Sequence, residues 1–338
     1  MAQKFTNKVR ENVPLAAFTT FKIGGPARFF VCAETEQDVI DAFDFAARNN
    51  LQVFILGGGS NVLIADQGFD GLVVQIALMG SSESRVSCSE PGETNAKLEA
   101  RNSELTAGAG EDWDQLLKRC VDSNLAGLEC LSGIPGTVGG TPVQNVGAYG
   151  QEVSETITSV RCYDRRRKTI VELSNADCQF AYRKSIFNTA EKDRYVVLAV
   201  TFRLTKNGPP KIAYKELRDF LSTTGSPDCG SPHVRKGQIE PQRSISLKDV
   251  RVAVLAIRAR KSMVIDPADP NSRSAGSFFK NPLVSISLLD MIVQATGTNN
   301  VPNFPIDEIT TKIPAAWLIE QAGFRKDYVL GNAAISSN

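Results

Sequence analysis

The sequence predicts a protein of mixed helices and strands, arranged along the chain in three blocks. Helical periodicity is clearest over residues 112–124 and again after Ser246. Residues 194–205 instead alternate apolar and polar side chains, which is typical of a strand with one buried face. A proline- and glycine-containing break at 207–210 separates the last block. At 338 residues the chain is long enough for two or three domains.

Composition excludes several classes of function. The net charge of +1 gives no bias toward nucleic acid, and no apolar run reaches the roughly 20 residues of a membrane span. The N-terminus lacks the apolar core of a signal peptide. Seven cysteines, none spaced as CxxC, argue against a disulfide framework and a metal site, and we expect buried thiols at Cys120, Cys162 and Cys178. We therefore predict a cytoplasmic protein. His233, the single histidine, lies in a Ser/Pro/Gly stretch, which argues against histidine-based catalysis.

In the first block an extended stretch at 18–34 precedes a predicted helix over 36–49 and a strand over 53–56. That strand runs directly into GGGSNVLI at 57–64, where we expect Val62 to Ile64 to continue as strand. The glycine turn is therefore not a GxGxxG dinucleotide fingerprint, since it opens no helix, and no P-loop motif occurs.

The second and third blocks contain two predicted loops and several further helices and strands. Residues 81–104 are rich in Ser and Glu and are predicted to form an exposed inserted loop; strands follow around 157–163 and 169–173. The segment 222–241, rich in Ser, Gly and Pro, is predicted to be a mobile loop or an insertion. The next helix is capped by Ser246, with Asp249 completing a capping box, and carries Arg258, Arg260 and Lys261 at its basic end. Further helices are predicted over 285–295 and in AAWLIEQA, which ends at Gly323.

Residues 133–150, GIPGTVGGTPVQNVGAYG, are the most informative segment. Six glycines and two prolines make it a poor helix or strand, and it carries no charged side chain. Such a segment brings bare backbone N–H groups close to a large anion such as a diphosphate. The alternative is a tight loop between core elements. The length of the segment and its polar residues, Thr137, Gln144, Asn145 and Tyr149, favour a cofactor-binding loop over that alternative.

Five stretches in order resemble one family, the UDP-N-acetylenolpyruvoylglucosamine reductases: GGGSNVLI, the glycine-rich run, YRKSIF at 182–187, AGSFFKNP at 275–282 and KIPAAWLIEQAGF at 312–324. The resemblance implies an α+β flavoprotein of three domains. A two-lobed FAD-binding unit of the vanillyl-alcohol-oxidase-like class would span 1–77 and 78–208, and an α/β substrate-binding domain would span 209–338. The Tyr214 loop and SFFKNP are similar to the first type of the family.

The implied reaction reduces UDP-N-acetylglucosamine enolpyruvate to UDP-N-acetylmuramate for bacterial peptidoglycan, using NADPH and FAD. Arg183 would stabilise charge developing on the substrate carboxylate, because a guanidinium grips a carboxylate with two hydrogen bonds. Ser277 would be the general acid that protonates C2, with Lys280 as a contributor to its acidity. From the residues alone, Arg183 could equally form an ion pair between strands, and Ser277 could be a turn or N-cap hydroxyl.

The resemblance also implies binding residues. The UDP-sugar would contact Tyr214, Lys261, Asn281 and Gln321, although Lys261 alone could be a solvated charge at a helix end and Tyr214 a packing residue. FAD would be held by two sets of residues, namely Gly57, Gly58, Gly59, Ser60 and Asn61, and Ile134, Pro135, Gly136, Thr137, Gly139, Asn145, Gly147, Ala148 and Tyr149. The expected partners are small molecules, with no nucleic acid, membrane or metal, and the expected state is a monomer.

In the family a C-terminal glutamate completes the catalytic group, and this sequence, ending at Asn338, offers no substitute. We therefore expect slower substrate reduction than in relatives. Two interpretations stay open at this point, an incomplete chain of an active enzyme and a poorly active flavin- or UDP-sugar-binding homologue. A third is an FAD-dependent oxidase of the same fold acting on another alcohol or sugar.

Overall fold

The computed structural model describes residues 5–85, 102–224, 244–274 and 276–337. Backbone contacts divide the chain into two compact units, residues 1–265 and 266–338. The prediction of three domains with boundaries near 77 and 208 stays a prediction. None of the helices in the described ranges is long and apolar enough to span a bilayer.

The first unit begins with a four-stranded sheet, whose order is β1-β2-β4-β3. Its strands are β1 (Arg10–Pro14), β2 (Pro26–Ala33), β3 (Val53–Leu56) and β4 (Phe69–Ile76). Strands β2, β4 and β3 run parallel, because helix α1 (Glu36–Arg48) carries the chain back across one face between β2 and β3. The turn that contains the first glycine motif therefore follows the carboxyl end of β3.

A second, antiparallel sheet has the order β11-β10-β12-β6-β5. Its strands are β5 (Ser81–Arg85), β6 (Asn102–Gly108), β10 (Ile157–Asp164), β11 (Thr169–Ser174) and β12 (Tyr195–Lys206), with the short β7 (Leu125–Ala126) paired to β12. Strand β12 buries alternate residues, as its sequence predicts. One hydrophobic cluster contains residues of both sheets and of α1, so the two sheets share a core.

Helices complete the first unit. They are α2 (Trp113–Asp122), α3 (Lys215–Thr224) and α4 (Leu247–Ala259). Helix α4 has the predicted capping box, in which Ser246 accepts from the Asp249 N–H and Asp249 from the Ser246 N–H. Helices α3 and α4 pack on each other through a separate apolar cluster that includes Leu217, Val250 and Ile257. Helix α3 was not foreseen, and its residues 222–224 lie in the segment 222–241 that was predicted to be a loop, so that prediction was wrong there.

Two other predictions were wrong. Residues 62–64 form no strand: Leu63 is exposed, while Val62 and Ile64 pack against the hydrophobic cluster that contains Leu15 and Leu56. Residues 81–85 and 102–104, assigned to an exposed loop, belong to strands β5 and β6. The Ser and Glu side chains of β5 suit the edge of a sheet, where polar residues discourage further pairing. The rest of that predicted loop, and residues 225–241 of the other one, lie outside the described residues.

The second unit is small. It contains β13 (Leu283–Ser285), α5 (Ile286–Thr296), β14 (Phe304–Pro305), β15 (Thr310–Lys312), α6 (Ala315–Gln321), β16 (Val329–Leu330) and β17 (Ala333–Ala334). Its buried core is centred on Val284, Val301 and Ile313. Helix α6 ends as predicted, since Gly323 follows the C-cap with a left-handed φ of 93°.

The buried thiols are confirmed at Cys120, Cys162 and Cys178, and Cys130 is buried as well. Burial raises the pKa of the Cys120 and Cys130 thiols to about 12. These side chains are therefore uncharged and behave as small apolar groups.

Candidate active site

The two glycine segments predicted to bracket a cofactor lie against each other. The Ser60 hydroxyl donates to the Pro135 carbonyl at 3.0 Å. A Cβ added to Gly58 would come 2.7 Å from the Cα of Gly136, a distance at which backbone must shift. Glycine is therefore required at this crossing for steric reasons, and the crossing brings residues 57–61 to residues 134–137.

The amides at this crossing are unused by the protein. Within the described ranges, the N–H groups of residues 57–61 and of Ile134, Gly136 and Thr137 donate to no main-chain carbonyl. Backbone N–H groups clustered in irregular loops form anion-binding concavities, the kind of site that a dinucleotide diphosphate occupies. The residues present thus fit FAD at its diphosphate.

The following residues of the glycine run anchor it to the core. The N–H of Val138 donates to the Glu111 carbonyl and that of Gly139 to the Ala109 carbonyl, both at 2.9 Å. A Cβ on Gly139 would lie 2.6 Å from the Cβ of Ala109, so close packing explains this glycine. The N–H of Gly139, a residue predicted to bind the cofactor, is therefore already used by the protein. Further along the run, β8 (Gly147–Ala148) and β9 (Gln151–Glu152) form a short hairpin.

A charged anchor that the sequence analysis missed fixes the start of the run. Asp114 on α2 accepts from the Gly133 N–H at 2.6 Å and receives two hydrogen bonds from Arg251 on α4, both at 2.7 Å. Burial raises the pKa of Asp114, but the bonds from Arg251 and Gly133 outweigh it and hold that pKa below its usual range. An acidic residue in the first turn of a helix is usually solvated and interacts with the helix dipole. The sequence therefore did not indicate that Asp114 anchors the Gly133 N–H.

Arg258 is buried beside the end of the glycine run, although the sequence placed it in a basic helix end. Its side chain is 9% exposed, its Nη2 donates to the Met263 carbonyl at 2.8 Å, and its Nε has no hydrogen-bond partner within the described ranges. Burial lowers the pKa of Arg258, while the neighbouring Tyr149 and Asp114 raise it. For Tyr149, burial raises the pKa to about 12, because burial disfavours the charged phenolate, so the phenol keeps its proton. A buried cation and a neutral phenol thus border this loop.

Arg183 lies in the turn 181–184 and contacts the later part of the glycine run, at Gly147, rather than the part near Ser60. Its Nη2 donates to the Gly147 carbonyl at 2.7 Å, and its backbone has a left-handed φ of 56°. The turn is closed by reciprocal main-chain hydrogen bonds between Ala181 and Lys184, each 3.0 Å. The guanidinium predicted to stabilise a substrate carboxylate is therefore placed directly against a segment predicted to hold the flavin.

Two of the predicted UDP-sugar residues lie in this unit. The ring of Tyr214, 47% exposed, meets the ring of Tyr149 edge-on, with centroids 5.7 Å apart. Lys261 forms an ion pair with Glu216, whose carboxylate lies 2.7 Å from the Lys261 Nζ. Tyr214 therefore adjoins the glycine run, whereas Lys261 joins the end of α4 to the start of α3.

The other predicted site residues belong to the second unit. Ser277 is exposed and lies between Gly276, with a φ of 69°, and the exposed Phe278. No helix begins there, so the N-cap interpretation of Ser277 is wrong. The Oδ1 of Asn281 accepts from the Ala315 N–H at 2.9 Å, which satisfies an amide at the start of α6. Gln321 is exposed at the opposite end of that helix.

Comparison with known proteins gives two family matches along the chain. Residues 27–174 match the model of an FAD binding domain, and residues 267–338 match that of the UDP-N-acetylenolpyruvoylglucosamine reductase C-terminal domain. The first match contains both glycine segments, and the second contains Ser277, Asn281 and Gln321.

Whole-length relatives agree with these matches. The UDP-N-acetylenolpyruvoylglucosamine reductase of Thermobifida fusca is 41% identical over 98% of this chain and 86% of its own length. That of Streptomyces coelicolor is 42% identical over 96% of this chain and 78% of its own. The crystal structure of the Thermus caldophilus reductase has the same fold, with a TM-score of 0.57 at 22% identity, covering 97% of this chain and 85% of that one. The chain therefore belongs to the UDP-N-acetylenolpyruvoylglucosamine reductase family.

Proposed function

We propose that this protein reduces UDP-N-acetylglucosamine enolpyruvate to UDP-N-acetylmuramate, a step of peptidoglycan precursor synthesis, with FAD as cofactor and NADPH as reductant. The observation that carries the proposal is the position of the glycine run at 133–150. One end of it meets the glycine turn after β3, and the other end meets the turn that carries Arg183. A cofactor held by this run would lie beside a guanidinium suited to a carboxylate substrate.

FAD would be held mainly by backbone groups, namely the unused N–H groups of residues 57–61 and of Ile134, Gly136 and Thr137. Backbone N–H groups can bind a diphosphate without help from a cationic side chain. When bound, FAD supplies hydride transfer from NADPH to the enolpyruvyl ether. The protein must then orient the substrate, stabilise charge and deliver a proton.

Arg183 is the residue that we assign to charge stabilisation. Charge develops on the enolpyruvyl carboxylate as C3 is reduced, and a guanidinium can meet both carboxylate oxygens at once. The hydrogen bond from its Nη2 to the Gly147 carbonyl holds the guanidinium against the glycine run.

Ser277 is the residue that we assign to protonation of C2. A serine hydroxyl is a weak acid, so this role requires cations near it, and Lys280 is the closest in sequence. Tyr214, Lys261, Asn281 and Gln321 are assigned to the UDP-sugar. We also place the reaction in the cytoplasm, since the five cysteines of the described ranges are free thiols, as expected in a reducing compartment.

The test of this function is spectroscopic. The purified protein, alone or after incubation with FAD, should show flavin absorption that NADPH bleaches and UDP-N-acetylglucosamine enolpyruvate restores. A protein that binds flavin but is not recoloured by this substrate would be a silent homologue. Recolouring by air at the same rate without substrate would indicate an oxidase of the same fold, and a colourless protein would contradict the proposal altogether.

The glycine crossing provides a separate prediction. Gly58→Ala should weaken FAD binding by about tenfold or more, because the new Cβ meets Gly136 backbone at 2.7 Å and pushes the two segments apart. The measurement is FAD affinity by flavin fluorescence. Gly140→Ala is the matched control, since a Cβ there meets nothing within 4 Å. Equal affinities for the two variants would remove the crossing from the cofactor site.

A further inference from the structure

Three hydrogen bonds join residues 181–185, which include the turn that carries Arg183, to the glycine run. The Ser185 hydroxyl donates to the Val143 carbonyl at 2.6 Å, and the Arg183 Nη2 donates to the Gly147 carbonyl at 2.7 Å. Between them, the Asn145 Nδ2 donates to the Ala181 carbonyl at 3.2 Å. The turn is therefore held against one short stretch of the run.

Asn145, like Ser185, is almost fully buried. Its side chain is 1% exposed and its backbone has a left-handed φ of 45°. Besides the bond to Ala181, its Nδ2 donates to the Glu152 carboxylate at 2.7 Å, and its Oδ1 accepts from the Ser154 N–H at 3.1 Å. Both amide hydrogens and the carbonyl oxygen are thus used within the protein. The side chain has little capacity left to bind a cofactor directly, and any cofactor contact at this position falls to the backbone.

Arg183 needs such support because of its conformation. It occupies the third position of the turn 181–184 with a φ of 56°, which side-chain-bearing residues other than Asn and Asp seldom adopt. A conformation of this kind persists at functional sites only when surrounding contacts over-determine it. The Ala181 carbonyl, at the first position of the turn, receives both the closing bond from Lys184 and the bond from Asn145.

We infer that Asn145 is a positioning residue for Arg183: through the Ala181 carbonyl it sets the position of the turn, and thus of the guanidinium, relative to the cofactor-binding run. Glu152 orients the Asn145 amide so that the second Nδ2 hydrogen points at Ala181. The inference rests on the proposed function, because it assumes that Arg183 acts on the substrate.

Two variants separate positioning from stability. Asn145→Asp removes both donors and sets a carboxylate against Glu152, so it should lower the thermal unfolding temperature and slow the substrate step. Adding Glu152→Gln restores a donor–acceptor pair between positions 145 and 152 but not the bond to Ala181. The double variant should therefore regain much of the unfolding temperature. Its ratio of substrate-step rate to NADPH-step rate should remain about tenfold below that of the parent, the size expected when an ordinary hydrogen bond no longer orients a catalytic group.

The FAD-loaded proteins are compared by stopped flow, with unfolding temperatures measured alongside. A double variant with the parental ratio of the two rates would overturn the inference and leave Asn145 a purely structural residue. Asn175→Asp is the matched control, because the Asn175 Nδ2 also bridges two carbonyls, of Ser154 and Ile157, each at 2.8 Å, without touching the turn. It should lower stability and leave the ratio unchanged.

A cycle with Arg183→Ala distinguishes this inference from the function beneath it. If Asn145 acts through Arg183, the Asn145→Asp/Glu152→Gln pair should cause no further slowing of the substrate step in the Arg183→Ala background. Independent, additive slowing would overturn the inference. If Arg183→Ala alone leaves the substrate step at the parental rate, the assigned role of Arg183 fails instead.

Discussion

Replacing Ser277 by alanine should leave reduction by NADPH near the parental rate and slow the substrate step by about 10²–10⁴-fold. The hydroxyl is the proton source that we assign to C2, and without it the proton must come from water that is neither positioned nor activated. Single-turnover stopped flow with saturating UDP-N-acetylglucosamine enolpyruvate measures the two steps separately. A substrate step at the parental rate would remove Ser277 from the reaction.

A control is needed because Ser277 lies in an exposed loop with little internal packing. Ser274→Ala removes the hydroxyl that accepts from the Gly276 N–H at 3.2 Å, so it loosens the same loop while keeping Ser277. We expect its substrate step to stay close to that of the parent. A loss in Ser274→Ala equal to that in Ser277→Ala would mean that loop order, and not the acid, was being measured.

The elements that sequence predicted well are those with a strong local period or cap. The α4 capping box, the alternation of β12 and the glycine stop of α6 depend on neighbouring residues, and the structure has all three. The elements that were missed depend on distant partners. Strand β5 consists of Ser, Glu and Arg, and only its ladder with β6 identifies it as the edge of a sheet.

The same distinction holds for the candidate site. The glycine segments were recognisable because glycine reports a local steric demand, and the structure brings residues 57–61 and 134–137 together. The roles of Asp114, Arg251 and Arg258 could not be read from the sequence. Their charges lie on amphipathic helices, where most charged residues are solvated, and the structure alone shows that Asp114 is bonded to the Gly133 N–H and Arg258 is buried. For Asn145 the polar character was recognised, but its Glu152 and Ala181 partners were not.

Arg183→Lys should slow the substrate step by about 10²–10³-fold, the usual cost of removing one preorganised donor from a developing negative charge. Lysine keeps the positive charge but loses the planar fork, so it cannot hold a carboxylate with two parallel hydrogen bonds and also donate to the Gly147 carbonyl. The effect should appear in the maximal rate of the substrate step, because the interaction strengthens as charge develops.

The adjacent Lys184 separates this specific role from general electrostatics. Lys184→Ala removes a positive charge one residue away and retains the main-chain bonds to Ala181 that close the turn. If Arg183 acts through directed hydrogen bonds, Lys184→Ala should react at nearly the parental rate while Arg183→Lys is slow. The reverse order, a slow Lys184→Ala and a fast Arg183→Lys, would mean that net positive potential suffices. In that case the left-handed backbone and the bond to Gly147 would have no catalytic consequence.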